Sequence, residues 1–188
     1  LRRSKYLQAQ MKALDPFITP QVKNSILDRA ETYETSQKGP QKVLMPVENQ
    51  PAMIKAVLRE YQLEGLRWNV GMYDQGCSCI LADEMGLGKT VQVCALIAYL
   101  WESKQNYGPH LIIVPNAVIV NWKSEIKLWL KNLATVYYVG GREERAKIFA
   151  EQVTPLKFNV LVTTYEFIMR DRAKLSKVNW QYVIIDEA

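Results

Sequence analysis

The pattern of apolar and polar positions changes character once along the chain, near residue 58. Before that point the apolar residues form narrow stripes on charged segments. Residues 2–14 predict a basic helix ended by Asp15-Pro16. Thr19 then predicts an N-cap with Pro20 at the first helical position. Val22, Ile26, Ala30 and Tyr33 follow at helical spacing on one face. Residues 36–51, with Gly39, Pro40, Pro46 and Pro51, predict a linker. Helices with such narrow apolar faces are expected to pack on the following domain or on another protein.

From Leu58 onward helix and strand signals alternate. Leu63, Leu66, Val70 and Tyr73 predict a helix face. A strand is predicted at 77–82, where Cys77 and Cys79 share a face. A helix follows at about 89–104, buried through Val93, Ile97 and Leu100, and Gly108-Pro109 breaks it. Leu111 to Val114 is a fully apolar strand closed by Pro115. Asn116 is expected to cap a helix that uses Val118, Trp122, Ile126 and Trp129. Thr135 to Val139 predicts the third strand, 142–152 a charged helix, Asn159 to Thr164 the fourth strand and Tyr182 to Ile185 the fifth. On these stripes Trp68, Trp122 and Trp129 read as core residues. Continuous β-branched strands alternating with amphipathic helices predict an α/β fold, a parallel sheet with helices on both faces. The expected division is a helical extension and linker at 1–50 and a sheet-containing domain at 57–188. In such sheets ligands bind beyond the carboxyl ends of the strands.

Chemistry enters at Asp83-Glu84-Met85-Gly86-Leu87-Gly88-Lys89-Thr90. An apolar run that breaks into glycines and then Lys-Thr, before a helix, predicts a phosphate cradle. Gly86 and Gly88 let the backbone turn its N–H groups inward without a Cβ in the way. Lys89 is placed to reach the β/γ-phosphates and the Thr90 hydroxyl to ligate Mg²⁺. The following helix adds its positive N-terminal end. The strict motif has glycine where this chain has Asp83, so the loop departs from it at that position. A glycine-rich loop with a chance lysine is disfavoured, because strand, loop and helix signals come in the order that phosphate binding needs.

Tyr182 to Ile185 runs directly into Asp186-Glu187-Ala188. An acidic pair at a strand end is a common solvated turn, and the upstream cradle is what gives it meaning. Asp186 is then expected to hold Mg²⁺ through water opposite Thr90, and Glu187 to orient the attacking water. Gln62, shortly before the cradle, carries a donor and an acceptor that match the adenine edge.

Charge and cysteine content add less. Of the formal +5, residues 1–57 contribute nine Lys/Arg against five Asp/Glu, so the basic balance belongs mostly to the N-terminal segment. That suggests an acidic partner such as nucleic acid, or simply a solvated face. Cys77, Cys79 and Cys94 lack metal-site spacing and read as reduced core thiols of an intracellular protein. His110 is the only histidine, which excludes a histidine-based metal site and disfavours a Ser-His-Asp triad. No apolar run approaches the roughly 20 residues of a membrane helix.

Five stretches together resemble the helicase-like ATPases that remodel chromatin: Leu58 to Trp68, Asp83 to Thr90, Ile112 to Asn116 with Asn121-Trp122, Val162 to Glu166, and Asp186 to Ala188. Residues 107–117 and 157–169 are most similar to the Brahma-type Swi/Snf subfamily. The resemblance covers about 57–188 and implies a RecA-like P-loop NTPase lobe using ATP and Mg²⁺. It implies that Gln62 contacts adenine, that the 83–90 loop (Asp83, Gly86, Leu87, Gly88, Lys89, Thr90) holds the nucleotide, and that Asp186 and Glu187 serve Mg²⁺ and hydrolysis. It also implies that Asn121, Thr163 and Thr164 grip one DNA strand. The implied partners are double-stranded DNA, nucleosomes, a second ATPase lobe and other remodelling subunits, with the nucleus as location. The second lobe would carry an arginine that stabilises the γ-phosphate, so a lone first lobe is expected to bind nucleotide weakly and turn it over negligibly. An RNA helicase and a non-hydrolysing scaffold are the competing readings. A GTPase is disfavoured by the lack of an Asn-Lys-x-Asp signature.

Overall fold

The computed structural model describes residues 2–36 and 47–187. Much of the expected linker, residues 37–46, lies outside the described residues, as does Ala188. The chain divides into two compact units, one of residues 1–49 and 59–84 and the other of residues 50–58 and 85–188.

The first unit is helical. The basic N-terminal segment forms α1 (Arg2–Ala9), the short α2 (Met11–Leu14) and a 3-10 turn at Asp15–Phe17. Helix α3 (Pro20–Ser36) starts at the expected proline, and the Thr19 hydroxyl accepts the Val22 N–H at 3.4 Å. Ala30 on its stripe is fully buried, whereas Val22 is half-exposed. Helix α4 (Glu60–Asp74) buries Leu66 and Val70 as the pattern predicts. Its Arg67 donates from Nε to the Val47 carbonyl at 3.1 Å and pairs with Glu60 at 3.0 Å. Trp68 departs from expectation: it is 46% exposed, because it falls beside the buried Leu66–Val70 stripe rather than on it.

The predicted strand at 77–82 is not formed; residues 77–84 run without helix or strand. A strand exists only through a paired neighbour, and nothing here forms a ladder with this run. Its most apolar member, Ile80, is 84% exposed.

The second unit carries the sheet. Helix α5 (Lys89–Lys104) coincides with the sequence reading and is buried from Cys94 to Leu100. Strand β1 (His110–Val114) leads through a 3-10 turn at Asn116–Val118 into α6 (Ile119–Trp129). Asn116 makes no side-chain cap there, since the 3-10 turn displaces the helix start to Ile119. Strand β2 (Thr135–Tyr138) is followed by α7 (Arg142–Ile148), whose continuation at Phe149–Val153 is a π-type turn. Strand β3 (Val160–Thr164), the short helices α8 (Tyr165–Arg170) and α9 (Arg172–Leu175), and β4 (Tyr182–Ile185) complete the unit. All pairings are parallel, in the order β2-β3-β1-β4. Ile113 stands opposite Thr163 on one side and Ile185 on the other.

Strand alternation sorts the core by face. Leu111, Ile113, Val136, Tyr138 and Leu161 pack with Val153, Phe158 and Leu175, and Ile148, Phe149, Phe167 and Trp180 close over them. Ile112, Val114, Val160 and Val162, also buried, occupy the alternate positions. Residues 50–58, irregular in backbone, are pinned by polar contacts. The Glu102 carboxylate accepts the Ala52 and Met53 N–H groups at 2.8 and 2.7 Å. The Gln50 amide donates to Ile54 and Ala56 carbonyls and accepts the Leu58 N–H, each at 2.8 Å. No described helix is long and apolar enough to cross a membrane.

A buried ion pair ties the carboxyl ends of β2 and β3 to the α8–α9 junction. Arg145 Nε donates to Asp171 Oδ2 at 2.7 Å and Nη1 to the Gly140 carbonyl at 2.6 Å. The Tyr138 hydroxyl donates to the same Asp171 oxygen at 2.9 Å, and the guanidinium lies 4.5 Å from the Phe167 ring centre. Burial pushes the Asp171 carboxyl up, but the Arg145 and Tyr138 hydrogen bonds outweigh it and hold the group below the ordinary 3.8. Asp171→Asn strips the charge from a desolvated pair and is expected to cost roughly 3 kcal/mol in urea unfolding near neutral pH. The loss should shrink as pH falls below about 3.8, because the wild-type carboxylate then loses its own contribution.

His110, at the amino end of β1, is 1% exposed, and burial pushes its imidazole down from 6.5 to about 4. The fold therefore holds the neutral form. The unfolded chain takes up the proton below about pH 6.5, while the folded chain resists until about pH 4. Stability from this group is complete above the higher value and is lost across that window. Because this is the sole histidine, urea midpoints measured from pH 7.5 to 4.5 should fall by up to about 3 kcal/mol in stability for the wild type and by much less for His110→Gln.

Candidate nucleotide site

The glycine loop crosses from one unit to the other: Asp83 and Glu84 belong to the first, Met85 onward to the second. Gln62 also lies in the first unit. It is nearly buried in the first turn of α4, where its Oε1 accepts the Arg59 N–H at 3.0 Å. The structure therefore groups Gly86 to Thr90, Asn121, Thr163, Thr164, Asp186 and Glu187 in one compact unit, and Gln62 and Asp83 in the other.

Two residues give the loop its turn. Gly86 has φ +87°, and Gly88, immediately before α5, has φ 78° and ψ 42°. This left-handed backbone is open to glycine and strained for other residues. The Gly88 carbonyl already serves α5 by accepting the Gln92 N–H at 3.1 Å. Lys89 and Thr90 fill the first turn, which holds no acidic residue to neutralise the positive helix end. That end is suited to an anion.

The chain path fixes which way α5 runs. Only residues 105–109 separate its last turn from β1, so its C-terminal end lies by the amino ends of the strands. A 16-residue helix is about 24 Å long. Running back from that end beside α6, it carries Lys89 and Thr90 toward the strands' carboxyl ends. Asp186 is at that same edge: it follows β4, and its N–H extends the parallel ladder by donating to the Ile113 carbonyl at 2.9 Å.

Asp186 is held from two further directions. Its Oδ2 accepts the Trp122 indole N–H at 2.8 Å, and its carbonyl accepts the Tyr165 hydroxyl. Glu187 is exposed and stands at φ 52°, a left-handed conformation uncommon outside glycine. Burial first, then the charges of Asp186 and Glu187, push the Tyr165 hydroxyl above its ordinary value. Among the described residues no cluster of three or more His, Cys, Asp or Glu is placed to hold a metal. The available donors, a threonine hydroxyl and a carboxylate, are oxygens. Magnesium takes such donors in ones and twos, with water and phosphate completing the shell. The donor set fits a magnesium–nucleotide complex.

The residues expected to contact DNA divide. Asn121 is exposed on α6. Thr163 is fully buried, and its hydroxyl donates to the Tyr138 carbonyl at 2.7 Å. Thr164 is 2% exposed, and its Oγ1 finds no hydrogen-bond partner among the described residues. Cys94, deep in α5, has its thiol pushed up to about 12 by burial, with Glu125 adding to the effect. It stays protonated and takes no part as a nucleophile.

Sequence reasoning placed Trp122 in the core for its apolar ring and missed its polar end. A buried indole N–H must find an acceptor, and that requirement was the available signal. Tyr165 carried no comparable one.

Residues 61–188 match the family described as SNF2-related domain. The chain is 64% identical over 143 residues to the ATP-dependent helicase BRM of Arabidopsis thaliana, an alignment covering 76% of this chain and 6% of that protein. It is 42% identical over 161 residues to the nuclear protein STH1/NPS1 of Saccharomyces cerevisiae, covering 85% of this chain and 12% of the relative. The chain thus spans only a small part of these relatives. Among solved structures, the Sulfolobus solfataricus SWI2/SNF2 ATPase core in complex with dsDNA superposes with a TM-score of 0.65 at 35% identity, over 74% of this chain and 28% of that one. The match over residues 61–188 takes in the glycine loop, α5 and the whole sheet, and the chain belongs to the SNF2-related domain family.

Proposed function

We propose that this chain is the ATP-binding lobe of an ATP-driven translocase on double-stranded DNA, whose whole protein remodels nucleosomes in the nucleus. The observation that carries the reading is the shared edge: a glycine turn opening α5 and a carboxylate closing β4 belong to one parallel unit. Gly86 to Thr90 receive the β- and γ-phosphates, with Lys89 as the mobile cation and backbone N–H groups as the fixed donors. Thr90 and Asp186 hold the metal, which when bound neutralises charge on the phosphates. Glu187 orients a water toward the γ-phosphorus and accepts its proton as the P–O bond to ADP breaks, releasing phosphate. For Gln62 the adenine edge, and for Asp83 the loop, are the roles that the family resemblance implies.

For DNA, Asn121 is the exposed group. The hydroxyls of Thr163 and Thr164 lie inside, so the turn from β3 into α8 acts through its backbone N–H groups, which bind phosphate without reading sequence. The similar Sulfolobus solfataricus core, solved in complex with dsDNA, supports that choice of nucleic acid over RNA. A second lobe in the whole protein would supply the arginine that completes the site, together with surfaces for partner subunits.

The whole protein should hydrolyse ATP faster when duplex DNA is added, and the stimulation should fall steeply as salt rises. Lys89→Ala should lower turnover by roughly 10²-fold or more. A phosphate-release assay with duplex DNA, duplex RNA and no nucleic acid decides. Stimulation by RNA alone would favour the helicase reading, and unchanged turnover in Lys89→Ala would remove the site from the mechanism.

A further inference from the structure

The Asp186 carboxylate is gripped by a side chain from a distant part of the sequence. Trp122 is 4% exposed, and its indole N–H reaches Asp186 Oδ2 at 2.8 Å across 64 residues of sequence. The donor is buried and Asp186 partly so, which limits the access of competing water to the bond. An indole nitrogen only donates and carries no charge. It can therefore fix the carboxylate's rotation about Cβ–Cγ without neutralising it, as a lysine or arginine would. The second hold is on the backbone, where the Tyr165 hydroxyl donates to the Asp186 carbonyl. Tyr165 opens α8 directly after β3, and Trp122 lies on α6 after β1. These two strands carry the segments with Asn121 and with Thr163 and Thr164.

We infer that Trp122 is a positioning residue for Asp186, with Tyr165 as its backbone counterpart: together they set the carboxylate that receives the metal end of the nucleotide. The inference rests on the ATP-binding reading above. Both side chains act through Asp186. Their effect is on how well Asp186 engages the metal, while phosphate capture by the glycine loop is untouched. Partners that orient a metal-binding carboxylate typically change metal affinity by roughly 10- to 100-fold when removed.

The test uses the whole protein and its Trp122→Phe and Tyr165→Phe variants. Manganese binding to the protein–ADP complex is followed by the loss of the free-ion electron paramagnetic resonance signal. ADP affinity is measured separately in excess EDTA. Trp122→Phe should raise the half-saturating manganese concentration about tenfold and leave metal-free ADP affinity within about twofold. Tyr165→Phe should shift the manganese curve in the same direction by less. If Trp122→Phe fails to fold, Tyr165→Phe decides on the same two readouts, since Tyr165 is 38% exposed and its ring is kept. Unchanged manganese binding in folded variants overturns the inference, and so does a parallel loss of metal-free ADP affinity, which marks a merely structural role. Failure of the wild type to bind ADP would instead overturn the ATP-binding reading itself.

Discussion

The arrangement depends on the parallel pairing of β1 with β4. Leu111 and Ile113 stand against Val183 and Ile185, and the ladder ends with the Asp186 N–H on the Ile113 carbonyl. That last bond decides where the acids go. A register slip of one residue would turn Asp186 to the opposite face and bring Glu187 to its place. The β1 strand is buried along its whole length, so the register is set by packing as well as by hydrogen bonds. Through this pairing a local sequence, four apolar residues followed by two acids, acquires a fixed position relative to α5.

Helix α5 supplies the other half. It is the most continuously buried helix of the described residues, and its burial has a consequence for chemistry. A helix buried from Cys94 to Leu100 is held against rotation, which restrains Lys89 and Thr90 in its first turn. In the loop that opens α5 the left-handed backbone falls on Gly86 and Gly88, where it is cheap. On the far side of the sheet the Arg145–Asp171–Tyr138 network closes the ends of β2 and β3. The carboxyl edge is thus ordered by packing at one end and by a charged cluster at the other.

Much of this was legible in the sequence, and for a definite reason. Val160 to Val162 and Leu111 to Val114 are apolar without interruption, as expected of strands covered on both faces. The bounds of α5 followed from Gly88 before it and the glycine-proline break after it. What the sequence hid were features that depend on partners. The run at 77–82 has strand composition, yet composition does not provide a neighbour, and it stays unpaired. Trp68 and Trp122 look alike along the chain, but one lies 46% exposed and the other is buried against a carboxylate. Thr163 reads as a polar group at a strand end, and the fold uses its hydroxyl on the Tyr138 carbonyl. The Glu102 contacts that pin Ala52 and Met53 likewise bring together groups far apart in sequence.

The most direct measurement is a crystal structure of the whole protein with a non-hydrolysable ATP analogue and manganese, the metal located by anomalous scattering. The account predicts the β- and γ-phosphates on the backbone N–H groups of residues 86–90, with Lys89 Nζ within about 3 Å of a phosphate oxygen. It predicts the metal about 2 Å from Thr90 Oγ1 and one water, about 4 Å, from the Asp186 carboxylate. A nucleotide bound away from the glycine loop, or a metal with Asp186 beyond reach of a bridging water, would contradict it.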